Sequence, residues 1–118
     1  MRTSVIRSFT FDAAHQLPWH PGKCRQLHGH TYRLEVAYEG PLGDHGIVWD
    51  FAALDELVRR EVIDRFDHRY LNDLMPNPTA ELLAADIWKR LEADGPPALR
   101  LSYLKLWETP DSAVELRP

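Results

Sequence analysis

Two hydrophobic periodicities, arranged in blocks, restrict this chain more than any other feature. Both ends alternate apolar with polar residues, the period of half-buried strands, whereas the middle repeats at helical spacing. Residues 2–11 read as a strand, with Val5, Arg7, Phe9 and Phe11 on one side and Ile6, Ser8 and Thr10 on the other. Residues 31–39 form a cleaner one: Tyr32, Leu34, Val36 and Tyr38 face one way, Arg33, Glu35 and Glu39 the other. Between them Pro18, Pro21 and Gly22 mark a loop. Gly40, Pro41 and Gly43 end the second strand, and Ile47 to Trp49 is expected to continue it briefly.

Asp50 predicts a helix N-cap, since its carboxylate can accept from the free N–H groups of a first turn. Phe51, Leu54, Leu57, Val58 and Val62 follow at helical period, with Asp55, Glu56, Arg59 and Arg60 as the wet face. A second helix is expected to start at Pro78-Thr79, to turn Leu83, Ala84, Ile87, Trp88 and Leu91 inward, and to stop at Gly95-Pro96-Pro97. Residues 99–108 return to alternation, and Thr109-Pro110-Asp111-Ser112 turns into a last strand ending near Leu116. The order β-β-α-α-β-β predicts an α+β fold, an antiparallel sheet with both helices on one face. So few strands leave edges that association with other subunits would cover.

A length of 118 residues without a dividing linker argues for a single domain, 1–118. A net charge of −4 with no run of like charges gives no reason to expect a nucleic-acid surface. No apolar stretch reaches membrane-spanning length, and the alternating N-terminus is neither a signal nor a transit peptide. Cys24 is the only cysteine, which excludes an internal disulfide and fits a reducing, cytoplasmic setting.

Three of the six histidines are arranged to bind a metal. His28-Gly29-His30 opens the second strand, where side chains two apart share a face. His15 lies just past the first strand, which is expected to pair antiparallel with the second and so bring it alongside. Three imidazoles and one open position make up a catalytic zinc site, whereas structural sites close with four ligands. Cys24, four residues before His28, is either that fourth ligand or a thiol standing beside the metal. Lys23, Arg25 and a nearby dication would favour its thiolate; the bland alternative is a small buried side chain. Asp67-His68 is either a solvated helix end or a carboxylate–imidazole acid/base pair. Glu108 shares parity with Leu104 and Leu106, so it needs donors: an arginine, or the paired N–H edge of a guanine- or pterin-like ring.

Taken together, several stretches resemble the 6-pyruvoyltetrahydropterin synthase superfamily. They are Phe11-Asp12-Ala13-Ala14-His15, Cys24-Arg25-Gln26-Leu27-His28-Gly29-His30 and Val48-Trp49-Asp50-Phe51. Asp67-His68-Arg69-Tyr70-Leu71-Asn72, Asn77-Pro78-Thr79-Ala80-Glu81 and Trp107-Glu108-Thr109 follow in family order. Within the superfamily the closest likeness is to bacterial 6-carboxytetrahydropterin synthases of queuosine and other 7-deazaguanine biosynthesis. The resemblance implies a tunnelling fold (T-fold), usually a homohexamer built as a dimer of trimers whose sheets close into barrels. It implies His15, His28 and His30 as zinc ligands, Cys24 as the catalytic thiol and Asp67 and His68 as its proton-transfer partners. Glu108 would anchor the pterin, and Thr79 would belong to the substrate site.

The implied substrate is 7,8-dihydroneopterin triphosphate, with zinc as Lewis acid. Acetaldehyde and triphosphate leave in the carboxy branch, triphosphate alone in the pyruvoyl branch. The C-x3-H-G-H spacing resembles the carboxy branch. Two departures bear on the product: Arg69 stands where many bacterial relatives carry a second histidine, and the tail lacks their Cys- and Gly-containing ending. Lys23, Arg25 and Arg69 are candidates for the triphosphate. A non-catalytic domain with a structural zinc closed by Cys24 is the reading from another class.

Overall fold

In the computed structural model, which describes Met1–Pro118, the two end blocks form one sheet and the middle block covers one face of it. Strands β1 (Thr3–His15) and β2 (His28–Gly40) pair antiparallel along their full length, Thr3 opposite Gly40 and His15 opposite His28. β1 therefore runs four residues beyond the 2–11 expected, and His15 is its last residue rather than a neighbour of its end. Asp12-Ala13-Ala14 has low strand propensity, but an unbroken ladder with β2 outweighs it. β4 (Arg100–Thr109) joins the other edge of β2, and β5 (Ser112–Leu116) joins β4, both antiparallel. A two-residue strand that periodicity could not register, β3 (Arg69–Tyr70), pairs parallel with Ala13 and Ala14 of β1. The strand order is β3-β1-β2-β4-β5.

Residues 47–49 do not form the expected strand. The Gly43 N–H donates to the Ile47 carbonyl at 2.8 Å and Gly46 turns at φ 79°, which closes a loop. Trp49 instead packs edge-on against Tyr38, ring centroids 5.1 Å apart. Asp50 then caps α1 (Phe51–Val58), its carboxylate accepting from the Ala52 N–H at 2.7 Å. The helical path continues through a π-helical stretch, Arg59–Ile63, into a last turn, α2 (Asp64–Phe66). Val62 is buried as expected and the wider turns carry Ile63 and Phe66 inward with it, whereas Phe51, expected inward, sits in the first turn of α1 and is 53% exposed. α3 (Ala80–Asp94) is capped by Thr79, whose hydroxyl oxygen accepts from the Leu82 N–H at 3.1 Å.

Both helices cover the face carrying Phe9, Phe11, Tyr32, Leu34, Leu104 and Leu106, which form one core with Leu54, Leu83, Ile87 and Leu91. Cutting a fully buried leucine such as Leu34 or Leu104 to Ala removes contacts worth about 2–5 kcal/mol. Polar ties fix the layers: the Tyr38 hydroxyl donates to the Leu91 carbonyl at 2.7 Å, and Arg7 pairs with Asp55 of α1 at 3.2 Å. No helix is long and apolar enough to cross a membrane.

Candidate metal centre and its two flanking cavities

Alternation along β1 and β2 carries the core directly into a polar site. His15 shares the inward face with Phe9, Phe11 and Ala13, while His28 and His30 share it with Tyr32 and Leu34. Direct opposition of His15 and His28, with His30 opposite Ala13, gathers three ring nitrogens within 4.8 Å of one another. His15 is 1% exposed, so the site begins where the apolar core ends.

The tautomers follow from the neighbours. Nδ1 of His15 donates to the Pro78 carbonyl at 2.8 Å and Nδ1 of His28 to the Gln26 carbonyl at 2.7 Å, since a carbonyl only accepts. As neutral rings, both then present Nε2 lone pairs, 3.0 Å apart. That contact needs a cation or an extra proton between the rings. Nε2 of His30 is buried with no partner at all. Burial holds the His30 pKa below the usual histidine value, joined by the charges of His15 and His28, while Glu108 pulls it back. Three converging imidazoles, two of them with Nδ1–H fixed by a carbonyl, make up the donor set that suits a zinc ion with an open coordination position. The residues present fit such an ion.

Cys24 lies in a single 3-10 turn, Lys23–Arg25, tied to the end of β1 by the Leu17 N–H donating to the Cys24 carbonyl at 2.8 Å. The half-buried thiol is outside the three-histidine cluster, so it does not close a fourth corner here. It lines instead a cavity of about 370 Å³ with Trp19, Thr79, Glu108 and Val114. Glu108 reaches this cavity on the face it shares with Leu104 and Leu106, as its parity predicts, at a register shift of the β4–β5 ladder between Trp107 and Thr109. Its carboxylate meets no arginine and stands 3.6 Å from Nε2 of His30, too far for a hydrogen bond. The Thr79 hydroxyl oxygen accepts from Leu82 in the α3 cap, which leaves its O–H and a second lone pair for the cavity.

Asp67 and His68 lie apart from this constellation. Oδ2 of Asp67 is 2.9 Å from Nδ1 of His68, and Oδ1 accepts from the Asp12 N–H, also at 2.9 Å. That N–H, with help from His68, holds the Asp67 carboxyl below the usual range, and hydrogen bonding to Asp67 raises the His68 pKa. His68 lines a second cavity of about 500 Å³ with Asp12, Gly29, His30, Thr31 and Arg69, and Cys24 is not part of it. Lys23, Arg25 and Arg69 are all exposed. Sequence reasoning assigned no role to Trp19, Asp12 or Thr31. Asp12 stood inside a quoted motif, but nothing in a one-dimensional pattern tells which backbone it will hold.

An antiparallel sheet with helices on one face and a three-imidazole centre at one end of its covered side defines a T-fold protein with a metal-ready site. A sequence profile described as 6-pyruvoyl tetrahydropterin synthase matches residues 4–118. The chain is 41% identical to a 6-carboxy-5,6,7,8-tetrahydropterin synthase of Synechocystis sp., covering 93% of this chain and 89% of that one. It is 40% identical to a dihydroneopterin monophosphate aldolase of Pyrococcus furiosus, covering 98% of each. Among solved structures, the 6-pyruvoyl tetrahydropterin synthase of Caenorhabditis elegans superposes with a TM-score of 0.86 at 25% identity, over 100% of this chain and 96% of that one. The chain belongs to the 6-pyruvoyl tetrahydropterin synthase family.

Proposed function

We propose that the chain is a zinc-dependent 6-carboxy-5,6,7,8-tetrahydropterin synthase acting on 7,8-dihydroneopterin triphosphate in queuosine and 7-deazaguanine biosynthesis. Acetaldehyde and triphosphate would be its other products. The observation that carries this reading is the pair of facing Nε2 lone pairs at 3.0 Å beside an unpartnered His30 Nε2, next to a cavity that holds both a thiol and a carboxylate. Zinc held by His15, His28 and His30 supplies Lewis acidity toward the substrate side chain. Glu108 accepts from paired N–H groups on the pterin edge, a charge-assisted contact that orients the ring. Cys24, as thiolate, removes a side-chain proton, and Thr79 offers its O–H to the same cavity.

His68 returns or relays a proton through Nε2, because Asp67 holds Nδ1. Since Cys24 and His68 line different cavities of one chain, the working site is proposed to be shared between subunits of a homohexamer, a dimer of trimers in the cytoplasm.

A second reading, dihydroneopterin monophosphate aldolase, is favoured by the Pyrococcus furiosus relative of nearly equal identity. Product analysis separates them. Metal-loaded protein given 7,8-dihydroneopterin triphosphate should release acetaldehyde. Triphosphate without acetaldehyde selects the pyruvoyl reaction, and turnover confined to dihydroneopterin monophosphate selects the aldolase. No turnover with any of these would overturn the reading in favour of a domain with a structural metal.

A further inference from the structure

Trp19 is 60% exposed, against the habit of a ring that is mostly buried in folded chains. It is nonetheless held in place. Its indole N–H donates to Oδ1 of Asn77 at 2.9 Å, a bond between two side chains 58 residues apart. The loop that carries it is strapped as well: the Leu17 N–H donates to the Cys24 carbonyl at 2.8 Å, and the His20 N–H to the Leu17 carbonyl at 2.9 Å. The His20 ring, whose Nδ1 accepts the Gly22 N–H at 2.9 Å, lies 5.7 Å from the indole. An exposed side chain with this much support is arranged to meet something.

The N–H is the only polar group an indole has. Because Asn77 takes it, Trp19 offers π surface alone to the cavity it lines with Cys24, Thr79, Glu108 and Val114. At about 370 Å³ that cavity is of small-molecule size, and its mixture of apolar wall and few polar groups is that of a ligand pocket. We propose that Trp19 is its stacking platform, binding the face of a planar, electron-poor heteroaromatic ring whose paired N–H edge donates to Glu108. That the ring is a pterin rests on the function proposed above; what is added is the residue that sets the plane of the ring. A carboxylate gripping one edge leaves the ring free to pivot about that edge, and an aromatic face at right angles to the grip removes that freedom. Fixing the indole beforehand spares the ligand the cost of ordering it. The plain alternative is that another copy of the chain covers Trp19, which predicts a change in assembly and none in ligand affinity.

Neopterin, an oxidised pterin without phosphate, is the probe, titrated into metal-loaded protein by calorimetry and NMR. Its ring proton should shift upfield on binding, and the Trp19 indole N–H signal, assigned by its absence from Trp19→Phe, should move. Trp19→Leu, apolar but without a π face, should weaken binding about tenfold and abolish the upfield shift, whereas Trp19→Phe should keep most of the affinity. With the full substrate, Trp19→Leu should raise KM and leave kcat, the mark of a contact made equally in ground and transition states. Metal content and oligomeric mass should stay as in the unmutated protein. Neopterin binding in Trp19→Leu as tight as in the unmutated protein, or as weak in Trp19→Phe as in Trp19→Leu, would overturn the stacking role. So would a Trp19→Leu protein that falls into smaller species yet binds neopterin undiminished, since the indole would then be an interface residue. Failure of the unmutated protein to bind neopterin would instead sink the pterin reading itself, and this inference with it.

Discussion

At the residue scale the three histidines differ in what they hold. His28 and His30 are half-buried at the start of a strand, whereas His15 is buried and bonded to Pro78 just ahead of α3. His28→Ala or His30→Ala should therefore abolish stoichiometric metal binding and turnover while circular dichroism shows the fold retained. His15→Ala should do the same and also lower unfolding free energy by about 1–3 kcal/mol, since it orphans a carbonyl. Cys24→Ala should stop turnover yet keep the metal; a thiolate-to-metal band in the cobalt-substituted unmutated protein would show the thiol to be a ligand after all. Asp67 raises the His68 pKa, so the protonated imidazole persists to higher pH than an ordinary histidine, and activity that needs it declines as pH rises through that raised value. Asp67→Asn removes the cause, and the alkaline limb of the pH–kcat profile should move to lower pH. The convergence of His15, His28 and His30 was legible in sequence because strand parity and spacing are local properties. The Asp12–Asp67 bond was not, because it joins residues 55 apart and uses a backbone N–H that every residue but proline owns.

At the scale of elements, caps and turns were the most legible signals, since Asp50 and Thr79 act within three residues of themselves. The π-helical stretch at Arg59–Ile63 was invisible to a 3.6-residue template, and the register shift at Glu108 depends on pairing with a strand not yet in view, although the face Glu108 takes follows from parity alone. Gly95 shows how an element boundary is enforced in three dimensions. The Gly95-Pro96-Pro97 sequence explains why α3 stops, but not why glycine stands first. A Cβ there would lie 2.8 Å from the Leu91 carbonyl oxygen and 3.0 Å from the Tyr38 ring, against backbone rather than a yielding side chain. Gly95→Ala should thus cost about 1–3 kcal/mol by overpacking and disturb the Tyr38–Leu91 hydrogen bond. Asp50→Ala, which only loses a cap, should cost about 1 kcal/mol. Equal midpoints for both variants in urea unfolding would show that the Tyr38–Gly95 approach is not constraining.

On the scale of the whole molecule, one sheet separates two chemistries. Its helix-covered face ends in the three imidazoles, and the cavity beside them holds Cys24 and Glu108; the Asp67–His68 pair is bound to Asp12, a residue of the opposite face. A single chain thus presents the Cys24 thiol in one cavity and the His68 imidazole, 79% exposed at its side chain, in another. The sheet also leaves strand edges open at both margins, β5 on one side and most of β1 beyond the short β3 on the other. If neighbouring subunits meet along those edges and complete each other's sites, Cys24→Ala and His68→Ala chains should each be inactive alone yet active together. Random mixing in a symmetric oligomer would pair an intact thiol with an intact imidazole in about a quarter of the sites, and activity should recover to that fraction. The mixture must be shown to contain hetero-oligomers, for instance by separable affinity tags and native mass spectrometry. Recovery near a quarter of the unmutated rate would establish the shared site, because neither parent chain can supply it. Verified mixed oligomers as inactive as their parents would place Cys24 and His68 of the same chain in one site and require a movement of the Asp67–His68 turn across the sheet edge.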